Sequence, residues 1–61
     1  MSRDQAKNLH PGDIVTLKST GTTLIVTAVD AQPQHRTVWV HGKTADGAPV
    51  TKTHRELNQL S

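Results

Sequence analysis

Four histidines are the residues of this 61-residue chain best suited to bind a metal or transfer a proton. They are His10, His35, His41 and His54. No two of them are four residues apart, and no glutamate stands between a histidine pair as it does in metalloprotease helices. The spacing therefore predicts solvated surface histidines and no metal site, with His54 at the first position of a capped turn.

The remaining candidates for catalysis all have structural explanations. The chain has no cysteine, no Gly-x-Ser-x-Gly nucleophile motif and no glycine-rich phosphate loop. Three acids stand in predicted turns, where aspartate commonly bonds to the backbone, and two stand near predicted helix starts, which favour negative charge. These acids are Asp13, Asp30 and Asp46, then Asp4 and Glu56. We expect no enzyme activity, no cofactor and no small-molecule substrate.

Composition favours a small β domain. Nine threonines, six valines and two isoleucines are β-branched residues, which pack well on a pleated sheet. The hydrophobic fraction is only 33%, Trp39 is the one aromatic residue, and the absence of cysteine excludes disulfides. A chain this short buries little apolar surface, and contact with a partner chain could increase the buried apolar area.

Short alternating segments separated by turn residues predict the architecture. Strands are expected at residues 14–18, 23–29, 36–41 and 49–52, with Asp46-Gly47 as a hairpin turn. In the second strand Leu24, Val26 and Ala28 would share one face, and Ile25 and Val29 the other. Four to five bent antiparallel strands in so short a chain predict an all-β fold, a small SH3-like barrel.

Helical turns are predicted at both ends of the barrel. Residues 1–10 are expected to form a tail or a short helix, with Ser2 and Gln5 as a capping box, and residues 11–61 the barrel domain. Thr53 and Glu56 form a second capping box, which predicts a C-terminal helical turn carrying Leu57 and Leu60.

The first half of the chain carries a family resemblance. The run from Pro11 to Gly21 (PGDIVTLKSTG), then Leu24 to Val26 and a strand with Trp39, resembles the small uncharacterised bacterial YodC-like proteins. Thr20 stands where that family has the first glycine of a pair. The opening Gly12-Asp13-Ile14-Val15 also resembles the start of KOW modules of ribosomal proteins and transcription elongation factors. The resemblance covers residues 11–41 and implies a barrel fold rather than an activity.

The orientation of Trp39 decides between two interpretations. If Val38 and Val40 point inward, Trp39 points outward with His41, and an apolar interface of Ile14, Ile25 and Trp39 becomes available. The alternative is a core position, since a small domain usually buries its large aromatic area. A bulge in a bent strand can reset the alternation, so both alternatives stay open.

Two binding functions follow from an exposed Trp39. One is association with nucleic acid or a ribonucleoprotein, favoured by the net charge of +2 and the KOW-like opening. A base would stack on Trp39, near the candidate binding residues Arg36, His41, Lys43 and Lys52. The other is a protein–protein or regulatory contact, including a homodimer, in a module that a phage or plasmid could encode. No membrane span or signal peptide is predicted, so we expect a cytoplasmic protein.

Overall fold

The computed structural model describes residues 1–59, which form two short helices and five strands. In chain order these are α1 (Arg3–Lys7), β1 (Ile14–Leu17), β2 (Thr23–Asp30), β3 (Trp39–Lys43), β4 (Pro49–Thr53), the 3₁₀ helix (His54–Glu56) and β5 (Leu57–Gln59). The predicted all-β class is confirmed. β3 begins at Trp39 and reaches Lys43, rather than spanning residues 36–41, because residues 36–38 belong to the loop that follows β2.

All five strands pair antiparallel in one sheet, in the order β4-β3-β2-β1-β5. The two edge strands, β4 and β5, are consecutive in the chain and are joined only by the three-residue 3₁₀ helix. This helix turns the chain from one edge of the curved sheet to the other, which is the topology of an SH3-like barrel.

The core is aliphatic and is shared by the strands and the N-terminal segment. Its buried members are Ala6, Leu9, Val15, Leu24, Val26, Val38, Val40 and Leu57. Ala6 and Leu9 come from α1 and the residues after it, so the N-terminal segment packs on the barrel. The predicted capping box is present, because the Gln5 amide donates to Ser2 Oγ (3.1 Å) and the Ser2 amide to Gln5 Oε1 (2.9 Å).

The second capping box is also present, but the chain after it is extended. The Thr53 amide donates to Glu56 Oε2 (3.0 Å), as the sequence predicts. Leu57, however, is not on a helical turn: it begins β5 and pairs with Leu17 of β1. The capping box therefore closes a single 3₁₀ turn. Leu60, predicted on the same helical turn, lies outside the described residues.

A β-bulge at Thr27 changes which face β2 presents. Val26 pairs with Gly42 while Ala28 pairs with His41, so β2 has one extra residue opposite β3. Beyond the bulge, Val29 packs against the core and Ala28 is exposed. The predicted faces of β2 are thus correct for Leu24 and Val26 and exchanged for Ala28 and Val29.

Gly42 is required by the close approach of β2 and β3. A Cβ atom at this position would lie 2.9 Å from the Ile25 carbonyl oxygen, a backbone atom that cannot move aside. We therefore expect Gly42→Ala to lower the free energy of unfolding by about 1–3 kcal/mol, the usual cost of overpacking. Without this clash, alanine in a strand would stabilise the protein. Urea unfolding checks the sign, and an unchanged or raised midpoint would contradict the packing.

Candidate nucleic-acid interface

Trp39 lies on the outer surface of the sheet at the start of β3. Its side chain is 45% exposed, whereas the neighbouring Val38 and Val40 are 1% and 2% exposed. This is the outward arrangement predicted for inward-pointing valines. Trp39 is the only large apolar side chain exposed among residues 1–59. An indole on a rigid strand offers a flat surface for stacking at little cost in conformational entropy.

The residues around Trp39 are fixed by the strand register. Cross-strand partners share a face of the sheet, and we call this set the Trp39 face. It comprises Trp39, His41 and Lys43 of β3, Asp30, Ala28 and Ile25 of β2, and Thr53, Thr51 and Pro49 of β4. Trp39 lies directly between Asp30 and Thr53. Lys43 lies four residues further along the strand, about 13 Å away at strand rise. The Trp39 face is therefore mostly polar around one aromatic ring.

The loop between β2 and β3 adds a cation to this surface. Arg36, His35, Gln32 and Thr37 line a hollow of about 290 Å³ together with Trp39 and Asp30. Arg36 is exposed, so its guanidinium is available to an anion. The structure thus brings Arg36 and Trp39 to one hollow and places His41 and Lys43 on the same face of the sheet.

His41 occupies the middle of the Trp39 face. It is half-buried, and its Nδ1 lies 3.0 Å from Thr51 Oγ1 of β4. Its backbone carbonyl accepts a hydrogen bond from the Thr27 hydroxyl at 3.2 Å. The first contact orients the ring towards Thr51, and the second joins the β3 backbone to the bulge of β2. His41 is thus positioned to donate to or accept from a polar ligand group.

The structure does not bring all the predicted site residues together. Lys52 pairs with Val40, an inward-facing residue. It therefore lies on the inward face of the sheet, whereas Trp39 lies on the outward face. It lines a separate hollow near the 3₁₀ helix. Ile14 and Ile25 are cross-strand partners and half-buried, and Ile25 pairs with Lys43 at the far end of β3 from Trp39. Ile14, Ile25 and Trp39 therefore do not form one compact apolar patch.

His54 holds the loop that carries Arg36, a role missed by the sequence analysis. The expectation of a solvated histidine is wrong here, because His54 is only 5% exposed. Its Nδ1 accepts a hydrogen bond from the Val38 amide (3.2 Å), and its own amide donates to the Val38 carbonyl (2.9 Å). Val38 immediately precedes Trp39. Val50 and Lys52 alternate along β4, and His54, the residue after the strand, continues this spacing. That pattern is the signal in the sequence that could have indicated an inward His54.

Arg3 of α1 fixes the same loop from its other side. Its guanidinium Nη2 donates to the His35 carbonyl at 3.2 Å. Within the loop, the His35 amide donates to the Gln32 carbonyl at 3.0 Å and forms a turn. The hollow beside Trp39 is therefore held in shape by hydrogen bonds from two other parts of the chain.

His54 gives the fold a defined pH dependence. Burial, followed by the charge of Arg55, lowers the pKa of His54 from its ordinary value of 6.5. An Nδ1 that accepts the Val38 N–H also requires the neutral ring. Because the unfolded chain binds this proton more readily, the stability that the neutral His54 ring contributes is fully present above pH 6.5 and declines as the pH falls below it. The slope reaches at most about 1.4 kcal/mol per pH unit until the lowered pKa is passed.

We expect His54→Asn to reduce that decline. Asparagine offers a non-titrating oxygen close to the position of Nδ1, so it can still accept the Val38 N–H. Urea unfolding at pH 7.5 and 5.5 should show a loss of stability in the native chain and a smaller loss in the variant. A variant with an equally large decline would show that other groups cause it. His35→Asn, at an exposed histidine, is the control that should change nothing.

No His, Asp and Glu side chains in residues 1–59 are grouped so that three could hold a metal ion. Neither helix in that part of the chain has the length and apolar character needed to cross a membrane. Comparison with protein-family models, with curated proteins and with solved structures finds no significant match.

Proposed function

We propose that this protein is a non-enzymatic binding module that contacts a nucleic-acid strand through the Trp39 face. The observation that carries the proposal is the exposed indole of Trp39 in a hollow shared with Arg36. A base stacks on the indole, which contributes about 1–3 kcal/mol. Arg36 and Lys43 meet phosphates on either side of it. The resemblance of residues 12–15 to the opening of KOW modules agrees with this function.

The surroundings of Trp39 favour a nucleic acid over an apolar protein partner. An interface core is normally apolar and depleted of charge, whereas Trp39 is flanked by Asp30 and Thr53 and followed on its face by His41. The two half-buried isoleucines, Ile14 of β1 and Ile25 of β2, lie beside the end of β3 that is distant from Trp39. A homodimer or a regulatory protein contact is the second candidate, favoured by the exposure of Trp39 alone, since tryptophan is a common hot-spot residue.

Asp30 weakens the binding of phosphates close to Trp39. It is exposed and lies directly opposite Trp39, where its carboxylate repels a phosphate. Asp30 also lines the hollow that holds Arg36, so its carboxylate opposes a phosphate there as well as across β2. This placement makes the affinity modest, and it makes Asp30 a residue whose neutralisation should strengthen binding.

Salt dependence distinguishes the two candidate partners. If Arg36 and Lys43 neutralise two phosphates of a single strand, the logarithm of affinity should fall with the logarithm of salt concentration with a slope of about −1.4. Trp39 fluorescence, titrated with a single-stranded oligonucleotide at several salt concentrations, measures this slope. Arg36→Gln should reduce it by about half, and Lys7→Gln, a charge-matched change on α1, should leave it unchanged. A slope near zero, with binding retained, would reject the phosphate contacts.

A further inference from the structure

A second hollow, on the opposite side of β4 from the Trp39 face, gathers most of the remaining positive charge. Its volume is about 340 Å³, and its lining is Leu17, Lys18, Ser19, Lys52, Arg55 and Glu56. Three of these residues are cations and one is an acid. The proposed Trp39 contact uses none of them, so the hollow requires its own explanation.

The acid in this hollow, Glu56, already accepts hydrogen bonds from within the protein. Glu56 Oε2 accepts hydrogen bonds from the Thr53 amide (3.0 Å) and the Thr53 hydroxyl (3.2 Å). The hydrogen bond from the Thr53 amide lowers the pKa of Glu56 most, and desolvation opposes it. The Thr53 hydroxyl and the charge of Lys52 lower the pKa further, so the net shift is downward. The carboxylate thus stays ionised and is held towards Thr53. It can partner only part of the positive charge beside it.

The walls of the hollow are held together by the backbone. The Lys18 amide donates to the Glu56 carbonyl at 2.9 Å, which joins the end of β1 to the 3₁₀ helix. The Gly21 amide donates to the Leu17 carbonyl at 2.7 Å and closes the turn that contains Ser19. Lys18, Ser19 and Arg55 are therefore brought to the hollow by fixed backbone segments, and Lys52 by its place in β4.

A further positive group, the Met1 α-amino group, lies close to Lys18. The Met1 α-amino group donates to the Leu57 carbonyl at 2.8 Å, and its pKa is lowered first by partial burial and then by the charge of Lys18. An anion bound beside Lys18 relieves this repulsion.

We propose that this hollow binds a phosphate-type oxyanion through Lys18, Lys52 and Arg55, with the Ser19 hydroxyl as a further donor. Arginine offers paired N–H groups that match two oxygens of the anion, and the lysines add point charges. The same chemistry is presented by a free phosphate compound and by the backbone of a nucleic-acid strand. The site is independent of stacking on Trp39, so it can exist whether or not the proposed function holds.

Inorganic pyrophosphate is the probe for this site, followed by amide chemical shifts of the full chain at low salt. We expect saturable shifts at Lys18, Ser19, Lys52 and Arg55 and none at Trp39. Lys52→Gln or Arg55→Gln should weaken the affinity about tenfold, the loss of one charge-assisted hydrogen bond. Lys43→Gln, which removes the same charge from the other face, should not change it. Equal, unsaturable shifts near Lys7 and Lys43 would overturn the proposal by showing only general ion attraction.

A competition experiment distinguishes a nucleic-acid phosphate from a free phosphate compound as the ligand of this hollow. A single-stranded oligonucleotide that displaces pyrophosphate from the hollow supports a strand phosphate as the ligand, and one that does not supports a free phosphate compound. Loss of the Trp39 response to the oligonucleotide, with pyrophosphate still bound, rejects the proposed function and leaves this site intact. Loss of the pyrophosphate response alone rejects only the site.

Discussion

Leu57→Ala is expected to remove a large part of the chain's stability and to raise its unfolded fraction at room temperature. Leu57 is 0% exposed and is among the largest fully buried side chains, and leucine-to-alanine changes in cores cost about 2–5 kcal/mol. Native domains have only about 0.05–0.15 kcal/mol of stability per residue, so a chain of this length has little to spare. The far-ultraviolet circular dichroism spectrum and urea unfolding measure the loss.

The position of Leu57 in the fold explains the size of this effect. Its side chain fills the core at the point where β5 pairs with β1, and its carbonyl accepts the Met1 α-amino group. Leu17→Ala is the matched control, because Leu17 is the cross-strand partner of Leu57 but is only partly buried. It should cost clearly less. Equal losses from the two variants would show that Leu57 is not the central contact between β5 and the barrel.

Trp39→Ala and Asp30→Asn are expected to change oligonucleotide affinity in opposite directions. Removal of the indole should cost about 1–3 kcal/mol, or roughly 5- to 150-fold in affinity, because the stacked base loses its surface. Neutralising Asp30 should raise affinity, because it removes a negative charge opposite the stacked base. Both residues are exposed, so neither variant should unfold the protein.

The pair is more informative than either variant alone. Weaker binding in Trp39→Ala is also expected if the partner is a protein, whereas stronger binding in Asp30→Asn, most marked at low salt, is expected for a polyanion. Asp4→Asn, an exposed acid on α1, controls for the change in net charge. Equal gains from Asp30→Asn and Asp4→Asn would place the effect in overall charge rather than at the Trp39 face.

The fold was predictable where the pattern is local. Three kinds of local feature each depend on only a few neighbouring residues. They are the turn glycines, the two capping boxes, and the alternation of Val15 with Leu17 and of Leu24 with Val26. β5 was not predictable, since Leu57–Gln59 is too short to show alternation and becomes a strand only by pairing with β1. The bulge at Thr27 was not predictable either. Both faces of β2 carry apolar residues, so the sequence is compatible with a regular or a bulged pairing with β3.

The candidate site was predictable only in part, for similar reasons. The outward direction of Trp39 follows from the inward direction of Val38 and Val40, and it places His41 and Lys43 on the same face. The face on which Lys52 lies depends on how β4 pairs with β3, which no single strand reveals. The burial of His54 depends on a backbone segment sixteen residues earlier. Contacts that are distant in sequence thus determine which of the charged residues act together.

The most direct test of the central claim is to map a single-stranded oligonucleotide onto the protein by amide chemical shifts at low salt. We expect concentration-dependent shifts at Trp39, Arg36, His41 and Lys43, together with a change in Trp39 fluorescence. Addition of salt should reverse both. Saturating oligonucleotide that leaves these four amides and the indole emission unchanged would contradict nucleic-acid binding by the Trp39 face.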